Sequence, residues 1–152
     1  PRIAFAYDGA TGDDDPADTS QQRFDRLFGA RRFEFGPTGL LGIFERANLH
    51  SPGLRIELAP HPDVDAFVAH RAAWLASPTD AWTTTGLRDP SGASGSMLGM
   101  FWEARVRWRA WPGVLAVDVG AATFLPGEFL RHVDGARGSV TAYGYGQAIL
   151  TL

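Results

Sequence analysis

The stretch that decides the fold is residues 97–111, MLGMFWEARVRWRAW, in which two kinds of side chain alternate. One set of alternating positions is apolar, and the other is mostly polar or charged. The apolar set is Leu98, Met100, Trp102, Ala104, Val106, Trp108 and Ala110, and the other set is Gly99, Phe101, Glu103, Arg105, Arg107 and Arg109. Because successive side chains of a β-strand point to opposite faces, this period predicts a strand with one apolar and one polar face.

Five more segments alternate in the same way, which indicates a sheet rather than a helical protein. Their ranges are 1–8, 53–59, 64–76, 113–124 and 138–152. Helical spacing is weak, because 18 glycines and 10 prolines interrupt most windows that could be helical. We therefore predict an all-β fold, an antiparallel up-and-down meander of about six strands.

The connections between these segments differ in length. Short turns are predicted at 60–63 and 111–113, and long loops at 9–47, 77–96 and 125–137. In a meander, alternate connections fall at the same end of the sheet, so one end carries short turns and the other carries long loops. This asymmetry is typical of an outer-membrane β-barrel. A soluble barrel or sandwich that binds a ligand or partner, with the apolar face as its core, is the alternative.

The polar and apolar faces of 97–111 favour the membrane interpretation. Arg105, Arg107 and Arg109 are same-face neighbours about 6.6 Å apart, and they repel one another unless they face water, carboxylates or an anion. Trp102 and Trp108 lie on the apolar face, and Trp74 lies on another predicted strand. Tryptophan is costly on a wet surface but suits a lipid interface. We expect these three tryptophans to contact outer-membrane lipid.

Composition excludes several classes of protein. The 152 residues fit a single domain, and 45% apolar residues exclude disorder. The absence of cysteine excludes disulfides and thiolate metal sites, and a net charge of −3 predicts no nucleic-acid partner. No apolar stretch reaches the roughly 20 residues of a membrane-spanning helix. The four histidines are scattered and no hydrolase or phosphate-binding motif is present, so we predict no enzymatic activity and no cofactor.

Several stretches resemble the alginate-export family, outer-membrane β-barrels that pass an anionic polysaccharide. The stretches Thr11–Pro16 (TGDDDP) and Arg23–Phe28 (RFDRLF) resemble motifs of a family loop. Phe124–Leu130 (FLPGEFL) resembles a Phe-x-Pro-Gly-x-Phe-Leu loop, and Tyr143–Gln147 resembles the family's final strand. The resemblance implies a bacterial outer-membrane location. Because the family's barrels are far longer, it also implies that 1–152 is the C-terminal part of one barrel domain, whose other strands are missing from this chain.

With this resemblance, the polar faces become a candidate path for an anionic polysaccharide such as alginate, or for a related anionic solute, moving passively. Arginine stays charged and bonds a carboxylate through two donors, and rings of arginine select anions in pores. The candidate path residues are Arg105, Arg107, Arg109, Arg71, Arg55, Arg2, Glu103, Asp118, Tyr143 and Tyr145. The carboxylates are expected to pair with some of the arginines, and the tyrosines to stack against sugar rings or to fill space.

An acidic segment near the start of the chain is a candidate cation site. It contains Asp8, Asp13, Asp14, Asp15 and Asp18, and Ca²⁺ prefers several carboxylate oxygens. The spacing does not match an EF-hand loop. A solvated loop is therefore the favoured interpretation, and no metal is predicted.

Overall fold

The computed structural model describes residues 1–15, 18–25 and 44–151. In these ranges the strands and the helix are β1 (Arg2–Ala10), β2 (Leu49–His61), β3 (Val64–Trp74), β4 (Met97–Trp111), β5 (Leu115–Pro126), α1 (Glu128–His132) and β6 (Thr141–Leu150). Among these residues, no helix is long and apolar enough to cross a membrane.

The strands form one sheet in the order β1-β2-β3-β4-β5-β6, and every neighbouring pair is antiparallel. The predicted all-β meander is therefore confirmed. The sheet is not closed, because β1 and β6 lie at its two edges. It is consistent with part of a β-barrel.

The second strand is longer than the alternation predicted. It spans Leu49–His61 rather than 53–59, and its pairing with β3 skips Ser51 and Pro52. Proline has no N–H to donate, which accounts for the interruption. The Ser51 Oγ hydroxyl instead donates to the Ala72 carbonyl at 2.9 Å, which bridges the two strands at this point.

The register places apolar and polar side chains on opposite faces of the sheet. Large apolar side chains are exposed on one face, with Trp102 at 42% and Trp108 at 54% of their full accessibility. On the other face, Glu103 and Asp118 are buried at 2% and 3%. Charged side chains are rarely buried in a protein unless they are paired, and Asp118 is paired with Arg107.

The connections differ between the two ends of the sheet. Short turns join β2 to β3 and β4 to β5, whereas the other three connections span 11–48, 75–96 and 127–140. The predicted loop over 9–47 includes residues 26–43, which lie outside the described residues, as does part of the Arg23–Phe28 motif. The described residues of 11–25, 44–48, 75–96 and 127–140 are called the loop cap below.

The loop cap has an apolar core where it meets the ends of the strands. This core consists of Phe44, Leu49, Ala73, Leu75, Trp82, Leu98, Phe124, Phe129, Leu130 and Val133. The short helix α1 packs against β4 because Gly127 allows a close approach: a Cβ there would lie 2.2 Å from the Met97 carbonyl oxygen. The Gly127 N–H donates to the Leu98 carbonyl at 2.8 Å, which fixes the start of the helix.

Candidate functional site

The arginine row of β4 is bound to two aspartates on its neighbouring strands. Arg107 donates to Asp118 of β5 through both Nε and Nη2, each at 2.7 Å. Arg105 and Arg109 both donate to Asp65 of β3, at 2.7 and 2.8 Å, and each uses a different carboxylate oxygen. The two-point contact of Arg107 is the planar geometry in which a guanidinium binds a carboxylate most specifically. Cross-strand carboxylates therefore hold the arginines at fixed positions.

Two other carboxylates on the polar face are each shared by two arginines. Glu57 lies 2.8 Å from Nε of Arg55 and 3.5 Å from Nη1 of Arg2. Asp8 lies 2.9 Å from Nη1 of Arg71 and 3.2 Å from Nη2 of Arg46. With Asp65, this makes three groups, which we call the Asp65, Glu57 and Asp8 groups. In each group two cations share one anion, and in the Asp65 and Glu57 groups the three members carry one net positive charge.

This arrangement corrects the prediction that Asp8 lies in a solvated acidic loop. Asp8 belongs to β1 rather than to a solvated loop, and it lies opposite Ser51 in the register. Its carboxylate pairs with Arg71, whose side chain is only 5% exposed. The alternation of β1 indicates this position of Asp8, because it places Asp8 on the same face as Arg2.

The remaining aspartates of the acidic segment do not come together at a common site. Asp13 is buried and its backbone N–H donates to Asp80, whereas Asp14, Asp15 and Asp18 are exposed. Across residues 1–15, 18–25 and 44–151, no group of three or more His, Cys, Asp or Glu side chains is arranged to hold a metal ion.

Two tyrosines extend the polar face onto β6. Tyr143 and Tyr145 stack with ring centroids 6.1 Å apart. Tyr145 lies across Gly120 of β5, where a Cβ would come 2.3 Å from the ring carbon Cε1. A side chain at position 120 would therefore displace the tyrosine. The glycine leaves space for an aromatic surface beside the arginine row.

All ten predicted path residues lie on the polar face, but they differ in accessibility. The Arg2 and Arg109 side chains are 75% and 42% exposed. Arg71, Glu103 and Asp118 are buried. The structure thus brings the predicted residues together on one surface, and only some of them are open to a dissolved molecule.

The apolar face carries aromatic side chains at two levels. Near the loop cap, the Trp102 ring lies 4.1 Å from the His70 ring, and Tyr7 bonds His50 at 2.6 Å. Trp108 and Trp111 lie near the short turns. The six residue steps from Trp102 to Trp108 span about 20 Å along the strand, and aliphatic side chains fill the space between them. Trp74 is half-buried at the loop-cap end of β3, opposite His50.

A buried aspartate links two segments of the loop cap, 75–96 and the described residues of 11–25. Asp80 accepts hydrogen bonds from Arg23 Nε at 2.7 Å, from Arg23 Nη2, and from the N–H groups of Asp13 and Ala81. Burial acts to raise the pKa of Asp80, but these hydrogen bonds outweigh it, so the pKa lies below its ordinary value. The hydrogen bond to Asp80 raises the pKa of Arg23 despite some burial.

A buried asparagine reinforces the same connection. Asn48 donates from Nδ2 to the carbonyls of Ser77 and Ala81 at 3.0 and 3.1 Å, and accepts from the Ser77 N–H at 2.7 Å. Asn48 has a positive φ of 49°, which asparagine tolerates better than most residues. The loop that contains Asn48 and the loop 75–96 are therefore held together by hydrogen bonds in the interior of the cap.

An antiparallel meander with an exposed apolar face, a charged opposite face and long loops at one end fits the class of outer-membrane β-barrels. The family model for alginate export matches residues 1–142, and the chain belongs to the alginate-export family. It is an export family rather than an enzyme family, and it suggests an outer-membrane location. No curated protein and no solved structure shows significant similarity to the chain.

Proposed function

We propose that the polar face of the sheet lines a passive path for alginate, or for a related anionic solute, through the bacterial outer membrane. Membership of the alginate-export family supports a role in alginate export. The observation that carries the detail of the path is the pair of groups, at Asp65 and at Glu57, in which two arginines share one carboxylate. In the Asp65 and Glu57 groups the guanidinium charge exceeds the carboxylate charge, and an incoming carboxylate competes for that excess without having to break a fully neutralised pair.

A mixed charge pattern suits passage better than an uncompensated cationic surface. Conduction requires binding that is favourable enough to admit the solute and weak enough to release it. Asp65, Glu57 and Asp8 lower the net charge of their groups, and Glu103 adds a further carboxylate to the same face. The polymer therefore meets sites of moderate positive charge, from which it is able to move on.

The exposed apolar face supports lipid as the surrounding medium. Trp102, Val106 and Trp108 are about half exposed and are not covered by other parts of the described chain. In a soluble sandwich the same side chains would form the core, so their exposure argues against that alternative. Six strands are fewer than the roughly eight of the smallest transmembrane barrels, so the proposal includes further strands that complete the barrel.

The proposal is tested by the ion selectivity of the full-length protein in a planar lipid bilayer. Changing both Arg105→Gln and Arg109→Gln converts the Asp65 group from one net positive to one net negative charge. We expect the anion-over-cation permeability, measured from the reversal potential in a KCl gradient, to fall several-fold. The matched control is Arg88→Gln with Arg131→Gln, which removes the same charge from exposed positions of the loop cap.

Two results would contradict the proposed path. One is a cation-selective pore in the unmodified protein. The other is an equal reversal potential in the two double variants, because the charge of the Asp65 group would then have no influence on the permeating ions.

A further inference from the structure

A phenylalanine lies in the middle of the polar face. Phe67 of β3 is directly opposite Glu57 of β2 and Arg105 of β4 in the register, and it is only 3% exposed. The guanidinium carbon Cζ of Arg55 lies 3.7 Å from the ring centroid, and that of Arg105 lies 5.1 Å from it. Both distances are within the range of about 6 Å over which a cation is attracted to an aromatic face.

Two hydrogen-bond donors of these guanidinium groups have no acceptor among the described residues. The Nε–H groups of Arg55 and Arg105 are buried and make no hydrogen bond within the described part of the chain. For Arg55, Glu57 lies at ion-pair distance from this atom but without the alignment of a hydrogen bond. A buried donor without an acceptor is costly, and the attraction of the two guanidinium charges to the ring offsets part of the cost of burying these side chains.

Phe67 also lies where two of the shared-carboxylate groups meet. Arg55 belongs to the Glu57 group and Arg105 to the Asp65 group. A cavity of about 380 Å³ lies between them, and its lining includes Arg2, Arg55, Glu57, Asp65, Phe67 and Arg105. This volume is within the range of about 300–1,000 Å³ that is usual for small-molecule sites.

We propose that Phe67 is a positioning residue that holds Arg55 and Arg105 on either side of this cavity, where they bind one carboxylate-bearing pyranose residue of the passing polymer. The inference rests on the proposed function, since it names a binding site on the same path. A free arginine side chain loses rotamer freedom when it binds an anion. Stacking on Phe67 removes that freedom before the sugar arrives, so less of the binding energy is lost to ordering the site.

The test is the affinity of the full-length protein for a defined oligouronate, measured as block of the open-channel current in a planar bilayer. Phe67→Leu keeps an apolar side chain but removes the aromatic face. We expect it to raise the dissociation constant about threefold to tenfold, the size of one or two cation–π contacts. Phe67→Tyr keeps the ring, and we expect its affinity to stay within about twofold of the unmodified protein.

Phe124→Leu is the matched control, because it removes another buried ring that has no guanidinium of the described residues over it. We expect it to lower thermal stability without changing the block by oligouronate. If Phe67 only fills space, Phe67→Leu also keeps the affinity, and that result overturns the inference alone. If a neutral maltooligosaccharide blocks the unmodified protein as well as the oligouronate does, the proposed function fails and the inference fails with it.

Discussion

The sheet and the loop cap follow opposite rules of burial. In the sheet, Glu103 and Asp118 are buried while Trp108 is half exposed. In the loop cap, Phe129 is fully buried and the exposed side chains include Asp14 and Arg88. Hydrophobic burial is favourable only where the alternative is water. The difference is the one expected if, as proposed, water surrounds the cap and lipid surrounds the outer face of the sheet.

The largest expected effect concerns the core of the cap. Phe129→Ala removes the largest fully buried side chain, and we expect it to cost about 3–5 kcal/mol of cap stability. Because this apolar core lies where the cap meets the strand ends, amide hydrogen exchange should quicken in 75–96 and 127–140 while the middle of β4 stays protected. Equal loss of protection in the cap and in β4 would show that the two regions are a single cooperative unit.

A slightly smaller effect is expected on the apolar face of the sheet. Val106→Arg places a charge in the centre of that face, and we expect it to cost about 2–4 kcal/mol of folding free energy in lipid vesicles, measured by denaturant titration. Gln147→Arg on the polar face, next to Asp118 in the register, is the control and should be close to neutral. If Val106→Arg left the folding free energy unchanged, this face would have to contact water, and the comparison between the two regions would fail.

The smallest expected effect is the pH dependence of the cap. The pKa of Asp80 is lowered in the folded protein. The ionised carboxylate therefore contributes fully to cap stability above the unfolded pKa of about 3.9, and this contribution is lost as the pH falls below that value. We expect cap stability, followed by hydrogen exchange, to drop as the pH falls below about 4. Asp80→Asn should weaken the cap at pH 7 and flatten this dependence. If cap stability depended on pH in Asp80→Asn as it does in the unmodified protein, the pH effect would belong to other groups.

The faces of the strands were predictable from sequence because the period of two is a local property. It correctly separated Trp102, Val106 and Trp108 from the three arginines of β4. Family resemblance added the expectation of an export barrel, which the family match confirms. The strand ends were harder, since Pro52 interrupts the pattern at the position where β2 continues to Leu49.

The loop cap and the partners of the arginines were not predictable, because both depend on contacts between distant residues. Phe44, Leu75 and Phe129 come from three separate loops, and no local pattern shows that they share a core. Asp8 was grouped with its sequence neighbours Asp13 to Asp15, although its partner Arg71 is 63 residues away. The stacking of Arg55 and Arg105 on Phe67 likewise requires the register of three strands.

The unequal exposure of the arginines has a consequence for ionic strength. Dissolved salt screens exposed charges beyond a Debye length of about 8 Å at physiological concentration, and buried pairs far less. Arg2 and Arg109 are the open members of their groups, whereas Arg107 is held by an aspartate that is only 3% exposed. In the proposed path, salt therefore weakens the long-range attraction of a polyanion to the open arginines, while the internal pairs that hold the strands in place persist.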